Sequence, residues 1–571
     1  MRAERPWHAH YPEEVLPAYP FPTGNVAQLL LNAAENMPKQ IAIRFFDSKM
    51  TYESLRDEAY RFANALQEQF DLQKGDRVAI MLPNCPQLVI AYFGTLLAGG
   101  TVVMTNPLYQ EEELAYQVKD AESVILVTLD LLLPRVLPVQ AHLGKQSIIY
   151  TSIKEYLPFP KNKLYPLKMK KEGHSLHIPK QSGLQGLQHL LYSTSPKRCV
   201  VQVDDAQDLA LIQYTGGTTG LPKGVMLTHA NLLANTIQTT TWSYKLQYGQ
   251  ESYMGVIPCF HVFGLTVLLN QCTHMAGTLI LMPRFDPDEV LGHIQKYRPT
   301  IFPGVPTMYM ALSHHSRIHD VDLSSIEVCI SGSAPLPLEV QQRFEALTGG
   351  RLTEGYGLTE TAPVTHVNPI WGKRKSGSIG IPLPNTDCYV VHPDTRKPCS
   401  RGEVGELAVK GPQVMKGYWK RPVETAQVLQ DGWLYTGDLA TMDEDGYFTI
   451  VDRKKEMIIS SGFNVYPREV EEVLYRHPGI KEAAVIGIPD AYRGETVKAF
   501  IVPRENTSVH ESQLDEWCRQ RLAAYKVPRH YEFRDQLPKT IIGKVLKRAL
   551  IEKQMEQKST HKSEDTNRDG S

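Results

Sequence analysis

The residues best suited to chemistry lie in one string, YTGGTTGLPKGVMLTH (214–229). Gly216, Gly217 and Gly220 leave the backbone free to turn its amides toward a ligand. Thr215, Thr218 and Thr219 add hydroxyl donors, and Lys223 brings a positive charge to the same loop. A nest of amides with a lysine suits phosphate oxygens. The string is not the usual ATPase P-loop, because Lys223 stands between Pro222 and Gly224 where that motif needs Gly-Lys-Ser/Thr. Further along, Glu360 in EGYGLTET (354–361) offers a hard oxygen ligand for Mg²⁺. Asp438 in LYTGDL (434–439) can accept from two neighbouring hydroxyls, with Arg453 following. His261, in PCFHVFG (258–264), sits in an apolar segment where a histidine is ordinarily a satisfied core residue. Lys544, in PKTIIGKVLKR (538–548), would by itself be one solvated lysine beside Lys539, Lys547 and Arg548.

These residues need elements to hold them. Short apolar runs alternate with helix-like patterns from about residue 76 to 352: RVAIML (77–82), TVVMT (101–105), SVILVT (123–128), ALIQYT (210–215), TLILMP (278–283), TIFPGVP (300–306) and IEVCIS (326–331). Between several lie amphipathic candidates, among them EEELAYQVKDA (111–121) and LEVQQRFEAL (338–347). That alternation predicts an α/β fold of mostly parallel sheets covered on both faces by helices. In such sheets ligands gather at the C-terminal ends of the strands, where the loop after ALIQYT falls. From 376 to 439 the texture changes to short strands with Gly and Pro turns, a smaller β-rich subdomain. After Val451 a third texture begins, charged and then compactly α+β, running to about 554; the polar tail 555–571 reads as disordered.

The strings also occur in a familiar order. YTGGTTGLPKG, EGYGLTET, LYTGDL, VDRKKEMIISSGFNVYPREVEEVL (451–474) and PKTIIGK together resemble the signature set of the adenylate-forming superfamily, which includes acyl-CoA synthetases, luciferases and nonribosomal peptide adenylation domains. The resemblance spans about 40–550. DGWLYTGDLATMDEDGYFTIVDRKK with SGFNVYPREVE most resembles bacterial long-chain-fatty-acid CoA ligases.

The resemblance implies a large N-terminal domain (1–451), a hinge at Asp452 and a small C-terminal domain (453–554). It implies ATP, Mg²⁺ and coenzyme A as the groups handled, with a fatty acid as substrate. Thr215 and its loop would cradle pyrophosphate, and Thr215 with Glu360, beside Thr359, would hold the metal. Gly355, Tyr356 and Gly357 would border the adenine, and Ser333 and Ala334 would line the nucleotide. Asp438 and Arg453 would serve the ribose. Lys544 would bridge carboxylate and α-phosphate during adenylation, His261 would mark the carboxylate end of the acyl pocket, and Gly462 would let the pantetheine arm of CoA pass close to the backbone.

The physical logic agrees with that assignment. A carboxylate is a poor electrophile, so a thioester requires a better leaving group on its carbon. Attack on the α-phosphate of ATP makes an acyl-adenylate, and catalysis then rests on positioning and on charge stabilisation around phosphate oxygens. Two rival readings stay open. One is an adenylating ligase for an aryl or shorter acid, or one that uses a carrier protein as acceptor. The other is a non-catalytic acyl or nucleotide binder, disfavoured because Lys544, Glu360, Asp438 and Thr215 are all present.

Composition excludes other classes. The chain has 571 residues and a formal net charge of −1, so no global attraction to nucleic acid or anionic membrane is expected. Its eight cysteines form no CxxC pair, which points away from a disulfide framework or zinc site and toward a reducing, cytoplasmic setting. The uncharged stretch 81–110 has an apolar centre of 17 residues, Leu88 to Met104, interrupted by Gly99-Gly100; it reads as a buried helix feeding a buried strand, not a membrane span. Residues 155–190, rich in Pro, Lys and Leu, read either as a surface loop or as a weak interfacial patch for peripheral membrane contact. Dimerisation is a habit of the family that nothing in these residues demands.

Overall fold

The computed structural model describes residues 5–173, 177–215, 221–460, 463–490, 493–505, 507–540 and 545–552. The chain divides into two compact units: Met1–Asp387 with Val409–Leu434, and Cys388–Ala408 with Tyr435–Ser571.

In the first unit the predicted strands form an eight-stranded sheet. Its order is Gly417–Tyr418, Lys223–Thr228, Leu209–Thr215, Thr101–Met104, Arg77–Met81, Ser123–Leu129, Ser147–Thr151, Leu184–Gly186. From Leu209–Thr215 to the last strand every pairing is parallel, whereas Lys223–Thr228 folds back antiparallel. A second sheet pairs Ser252–Gly255 and Thr278–Leu281 with Ile41–Phe45, all parallel, and ends on antiparallel Ser48–Thr51. A third runs Val328–Ser331, Arg351–Gly357, Val364–Val367, Ile381–Pro382. TIFPGVP is no regular strand. Ile301 bridges Tyr253 on one side and Val328 on the other, and Gly304 bridges Ser331, so the segment stitches two sheets together.

Helix packing explains the long uncharged stretch. Pro86–Leu97 is a helix buried at every position, and Thr101–Met104 is a strand buried at every position. The helix lies against Tyr52–Glu68, which starts where Thr51 Oγ1 accepts the Ser54 amide and which buries Leu55, Ala59, Phe62, Ala63 and Leu66, an i, i+4, i+7, i+8, i+11 face. The crossing is close enough to require glycine: a Cβ on Gly94 would sit 2.7 Å from Phe62 Cδ1 and 2.9 Å from the Ala59 carbonyl. Among the described residues no helix is long and apolar enough to cross a membrane.

The 155–190 stretch contains more regular structure than its composition suggests. Lys161–Lys171 is a helix despite Pro166, anchored by buried Tyr165 and Met169, and Leu184–Gly186 is the edge strand of the large sheet. Pro166 lies inside this helix, where its missing amide forgoes one backbone hydrogen bond.

In the second unit, strands Ile480–Asp490 and Gly494–Pro503 form a long antiparallel pair, flanked by Ile458–Ser460, Phe463–Val465 and His530–Phe533. Both faces are covered. Val485, Val497 and Ile501 pack under helices Pro467–Tyr475 and Glu511–Arg519, while Ile486, Phe500 and Val502 pack with Leu537 and Leu550. The alternation of sides along each strand follows from the two-residue period of a pleated sheet.

Candidate active site

The hairpin of Leu209–Thr215 and Lys223–Thr228 places Thr215 and Lys223 as facing partners at the end its connecting loop joins. Gly216, Gly217, Thr218, Thr219 and Gly220, the sequence-predicted phosphate loop between them, lie outside the described residues. The short strand Gly417–Tyr418 pairs on the other side of Lys223–Thr228, Tyr418 opposite Val225. This brings the Tyr418 ring under Lys223, whose Nζ stands 5.1 Å from the ring centroid. Tyr418 in turn donates its hydroxyl to Glu360 Oε1 at 2.8 Å, and the Met415 amide donates to the Glu360 carbonyl at 2.8 Å. Thr215 and Lys223, predicted from one string, and Glu360, predicted from another, thus share one neighbourhood, with Tyr418 between the last two.

Burial first, then the negative charge of Glu360 and the hydrogen bond to it, push the Tyr418 phenol far above its ordinary range. It stays a donor at any physiological pH, so one Glu360 oxygen is engaged by a neutral group and the carboxylate is fixed in orientation. Tyr418 was missed in the sequence because KGYW (416–419) carries no distinctive pattern; only the strand pairing reveals its place.

Glu360 itself sits in the turn Thr359–Thr361, closed by the Thr361 amide donating to the Leu358 carbonyl at 3.0 Å. Just upstream, Tyr356 faces His366 across the antiparallel pair, with ring centroids 5.9 Å apart at 64°. Burial holds His366 down to about 3, so it is neutral. Gly357 is glycine for a steric reason: a Cβ there would lie 1.9 Å from the Pro363 carbonyl oxygen. Gly355 is less confined, since a Cβ at that position would meet nothing nearer than Ile330 Cγ2 at 3.3 Å.

Ser333 and Ala334 follow closely on the strand Val328–Ser331, half-buried at its C-terminal end. Ser333 holds a left-handed φ of 68°, a conformation non-glycine residues adopt rarely and chiefly where function or packing enforces it. Glu354 Oε2 accepts the Leu336 amide at 3.2 Å and so ties this loop to the neighbouring strand. His261 is half-buried; its Nδ1 accepts the Phe263 amide at 3.3 Å. The Phe263 ring presses on Gly332, where a Cβ would meet it at 3.0 Å. A π-helix, Gly264–Asn270, follows, and its Thr266 hydroxyl donates to the Ala362 carbonyl at 2.7 Å. Such turns are frequent at functional sites. The 258–270 segment therefore touches both the Gly332 loop and the Glu360 turn.

Two further residues organise these segments. Asn84 donates to the carbonyls of Gly255 and Ile257 and accepts the Cys259 amide, fixing the approach to His261. Asn235 pairs with both the amide and the carbonyl of Val364, fixing the strand after the Glu360 turn. A lone asparagine inside a helix-like or turn pattern gives no sequence signal for such a role.

In the second unit, Asp438 and Arg453 are facing partners on antiparallel strands, with Arg453 Nε 3.1 Å from Asp438 Oδ1. Asp438 is buried, and its amide donates to Thr436 Oγ1 at 3.1 Å. Asp452 is buried too, accepting the amides of Arg453 and Arg468, each at 2.7 Å. The second bond caps the helix Pro467–Tyr475, whose own N-cap residue makes no side-chain bond. Gly462 and Lys544 lie outside the described residues.

The donor set suits a hard cation. Among the described residues no group of three or more His, Cys, Asp or Glu side chains could hold a metal. A single oriented carboxylate is a protein ligand Mg²⁺ accepts, since the ion keeps several waters and takes its other oxygens from phosphates.

Thr215 and Lys223 facing each other near an oriented glutamate suit a phosphate-bearing ligand and a hard cation, as in a nucleotide-dependent enzyme. The sequence matches the AMP-binding enzyme family over residues 30–419 and the AMP-binding enzyme C-terminal domain over 469–544, and the chain belongs to that family. It is 50% identical over 557 residues to a long-chain-fatty-acid–CoA ligase of Bacillus subtilis, covering 97% of this chain and 99% of that one. It is 40% identical over 553 residues to the enzyme of that name from Salmonella typhimurium, covering 95% and 97%. Among solved structures, ATP-bound MatB of Rhodopseudomonas palustris superposes with a TM-score of 0.81 at 32% identity, covering 93% of this chain and 99% of that one.

Proposed function

We propose that this enzyme activates a long-chain fatty acid with ATP and transfers the acyl group to coenzyme A, releasing AMP and pyrophosphate. The observation that carries the reading is the convergence of Thr215, Lys223 and the Tyr418-oriented Glu360 at one strand end, in a chain half identical along its length to a ligase of that name.

In the first half-reaction a fatty carboxylate oxygen bonds to the α-phosphorus of ATP while the bond to the β-phosphate oxygen breaks and pyrophosphate leaves. Thr215 and the loop through Gly220, with Lys223, take up charge on the departing phosphates. Glu360, with Thr215 beside it, would hold Mg²⁺, whose charge offsets that of the triphosphate. Gly355, Tyr356 and Gly357 border the adenine, Ser333 and Ala334 line the nucleotide, and Asp438 with Arg453 serves the ribose. Lys544 is the cation between carboxylate and α-phosphate. In the second half-reaction the CoA sulfur, having lost its proton, bonds to the acyl carbon, and AMP departs with the electrons of the broken C–O bond. Asp452 is the hinge between the two stages and Gly462 lines the route of the pantetheine arm.

His261 marks the carboxylate end of an acyl pocket walled by the apolar π-helix Gly264–Asn270, all of whose residues are buried. Each CH₂ removed from water contributes about 0.8 kcal/mol, so two more carbons add roughly tenfold in affinity until the pocket ends. The test is fatty-acid-dependent exchange of pyrophosphate into ATP, run with acids from about four to eighteen carbons and with aryl acids. Preference rising into the long-chain range supports the reading; exchange driven only by short or aryl acids overturns it.

The same reading includes peripheral membrane contact. On and beside the helix Lys161–Lys171, Phe159, Leu164 and Leu167 are 81%, 55% and 66% exposed, among Lys163, Lys168, Lys170 and Lys171. Exposed apolar side chains ringed by lysines suit an anionic lipid surface, which is where a long-chain acid partitions. Sedimentation with vesicles containing phosphatidylglycerol should carry the enzyme down, and a triple Phe159→Ser, Leu164→Ser, Leu167→Ser variant should stay in the supernatant. Equal sedimentation of both removes this surface from the account.

A further inference from the structure

Lys547 is a lysine whose side chain is only 16% exposed, and two carboxylates hold it. Its Nζ lies 3.1 Å from Glu456 Oε2 and 2.8 Å from Glu471 Oε1. The three residues come from different parts of the second unit. Glu456 sits in the turn immediately after Asp452 and Arg453, where its amide donates to the Arg453 carbonyl at 2.9 Å. Glu471 belongs to the helix Pro467–Tyr475, the one that Asp452 caps through the Arg468 amide. Glu471 Oε1 also accepts the Val485 amide at 2.8 Å, which locks it to the central strand pair.

Burial pulls the Lys547 ammonium toward neutrality, but Glu471, Glu456 and Asp452 together outweigh it and raise its pKa, so the residue stays charged. The described residues on the two flanks of 541–544 are joined as well: Lys539 and Val545 are bridge partners, and the Leu546 amide donates to the Pro538 carbonyl at 2.8 Å. Leu537 and Leu550 are buried in one apolar cluster. Leu537 and Leu550 anchor this segment by packing, and the Lys547 ion pairs add a polar tie to Glu456 and Glu471.

We propose that Lys547 is a positioning residue for the adenylation half-reaction, fastening the segment three residues beyond Lys544 to the hinge turn at Glu456 and to the helix that Asp452 caps. This rests on the reading of Lys544 as the adenylating lysine and Asp452 as the hinge. The clamp ties residue 547 to the turn that follows residue 452. Thioester formation, which does not use Lys544, is indifferent to it.

Four variants decide the matter: Lys547→Met, Lys547→Arg, Glu456→Gln and Lys544→Ala, each assayed for pyrophosphate exchange and, separately, for thioester formation from supplied acyl-adenylate and CoA. Lys547→Met should lower exchange by about 30- to 100-fold, the scale on which a misplacement of roughly 1 Å costs rate, while changing thioester formation less than about threefold. Lys547→Arg should recover most of the exchange, because a guanidinium can still meet both glutamates. Glu456→Gln, which loosens one arm and keeps the lysine, should show the same selectivity in smaller measure and guards against a Lys547→Met chain that fails to fold. Exchange unaffected in Lys547→Met and Glu456→Gln, with Lys544→Ala inactive, overturns the clamp alone. Both half-reactions falling equally in a folded Glu456→Gln variant also overturns it, leaving a structural ion pair. Normal exchange in Lys544→Ala overturns the underlying assignment and the clamp with it.

Discussion

The phenol of Tyr418 donates to Glu360 Oε1 at 2.8 Å while its ring lies 5.1 Å beneath the Lys223 ammonium. One aromatic residue thereby touches both a cation and an anion, through its ring and through its hydroxyl. On the proposed reading, the second oxygen of Glu360 would serve the metal and the charge of Lys223 the phosphates.

Removing that hydroxyl separates orientation from packing. Tyr418→Phe leaves the ring under Lys223 and frees Glu360 to rotate. A hydrogen bond to a charged group contributes about 1.5–3 kcal/mol, so the Mg²⁺ concentration that half-saturates pyrophosphate exchange should rise by roughly tenfold, with a loss of stability no larger than that bond. An unchanged Mg²⁺ requirement would show that Tyr418 only packs.

The two positions assigned by resemblance carry opposite expectations. Lys544→Ala should lower acyl-adenylate formation by at least ~10²-fold, since losing a charge partner of the transition state costs about 3–4 kcal/mol. Gly462→Leu should spare adenylation and block thioester formation. Quenched-flow measurement of acyl-adenylate and acyl-CoA in each variant checks both; parallel loss of the two products in Gly462→Leu makes that glycine merely structural.

Asp452 predicts an unusual pH dependence of stability. Burial raises its carboxyl to about 6 against the lowering effects of Lys547 and the Arg468 and Arg453 amides, with Glu471 adding to the rise. The folded chain therefore holds a proton that the unfolded chain releases. Between the unfolded value near 4 and about 6, this group makes stability fall as pH rises, opposite in sign to an ordinary paired carboxylate, by a total on the order of 3 kcal/mol. Denaturant titrations from about pH 4 to 7 should show stability rising more steeply with pH in Asp452→Asn than in the parent. Identical slopes would mean Asp452 titrates normally.

The contact of Gly94 with the neighbouring helix gives a stability prediction remote from chemistry. Gly94→Val places its Cβ against Phe62 and the Ala59 carbonyl. Overpacking of this kind costs about 1–3 kcal/mol or more. A lowered denaturation midpoint is expected, with substrate affinity unchanged in the folded fraction; an unshifted midpoint contradicts the close crossing.

Much of the large unit was legible because its strands are buried on both faces and read as continuous apolar runs, as in SVILVT, now Ser123–Leu129. Amphipathic helices were legible by period, as in Glu111–Asp120 and Leu338–Thr348. TIFPGVP was overread as a strand: Pro303 and Pro306 break its ladder, so Ile301 and Gly304 make isolated bridges only. Helix Lys161–Lys171 was hidden by Pro166 and by a lysine-rich composition that mimics a loop. At the site, residues with distinctive chemistry in glycine-rich strings announced themselves. Tyr418, Asn84, Asn235 and Lys547 did not, because their roles come from long-range pairing, with partners 58 residues away for Tyr418 and 129 for Asn235.

The first half-reaction proposed is attack of the fatty carboxylate on the α-phosphorus of ATP. Palmitate labelled with oxygen-18 in its carboxyl group, turned over with ATP, Mg²⁺ and CoA, reports this directly by mass spectrometry of the nucleotide and phosphate products. One labelled oxygen in AMP and none in pyrophosphate is the predicted result. Label in inorganic phosphate with ADP as the nucleotide product, or unlabelled AMP, would contradict it.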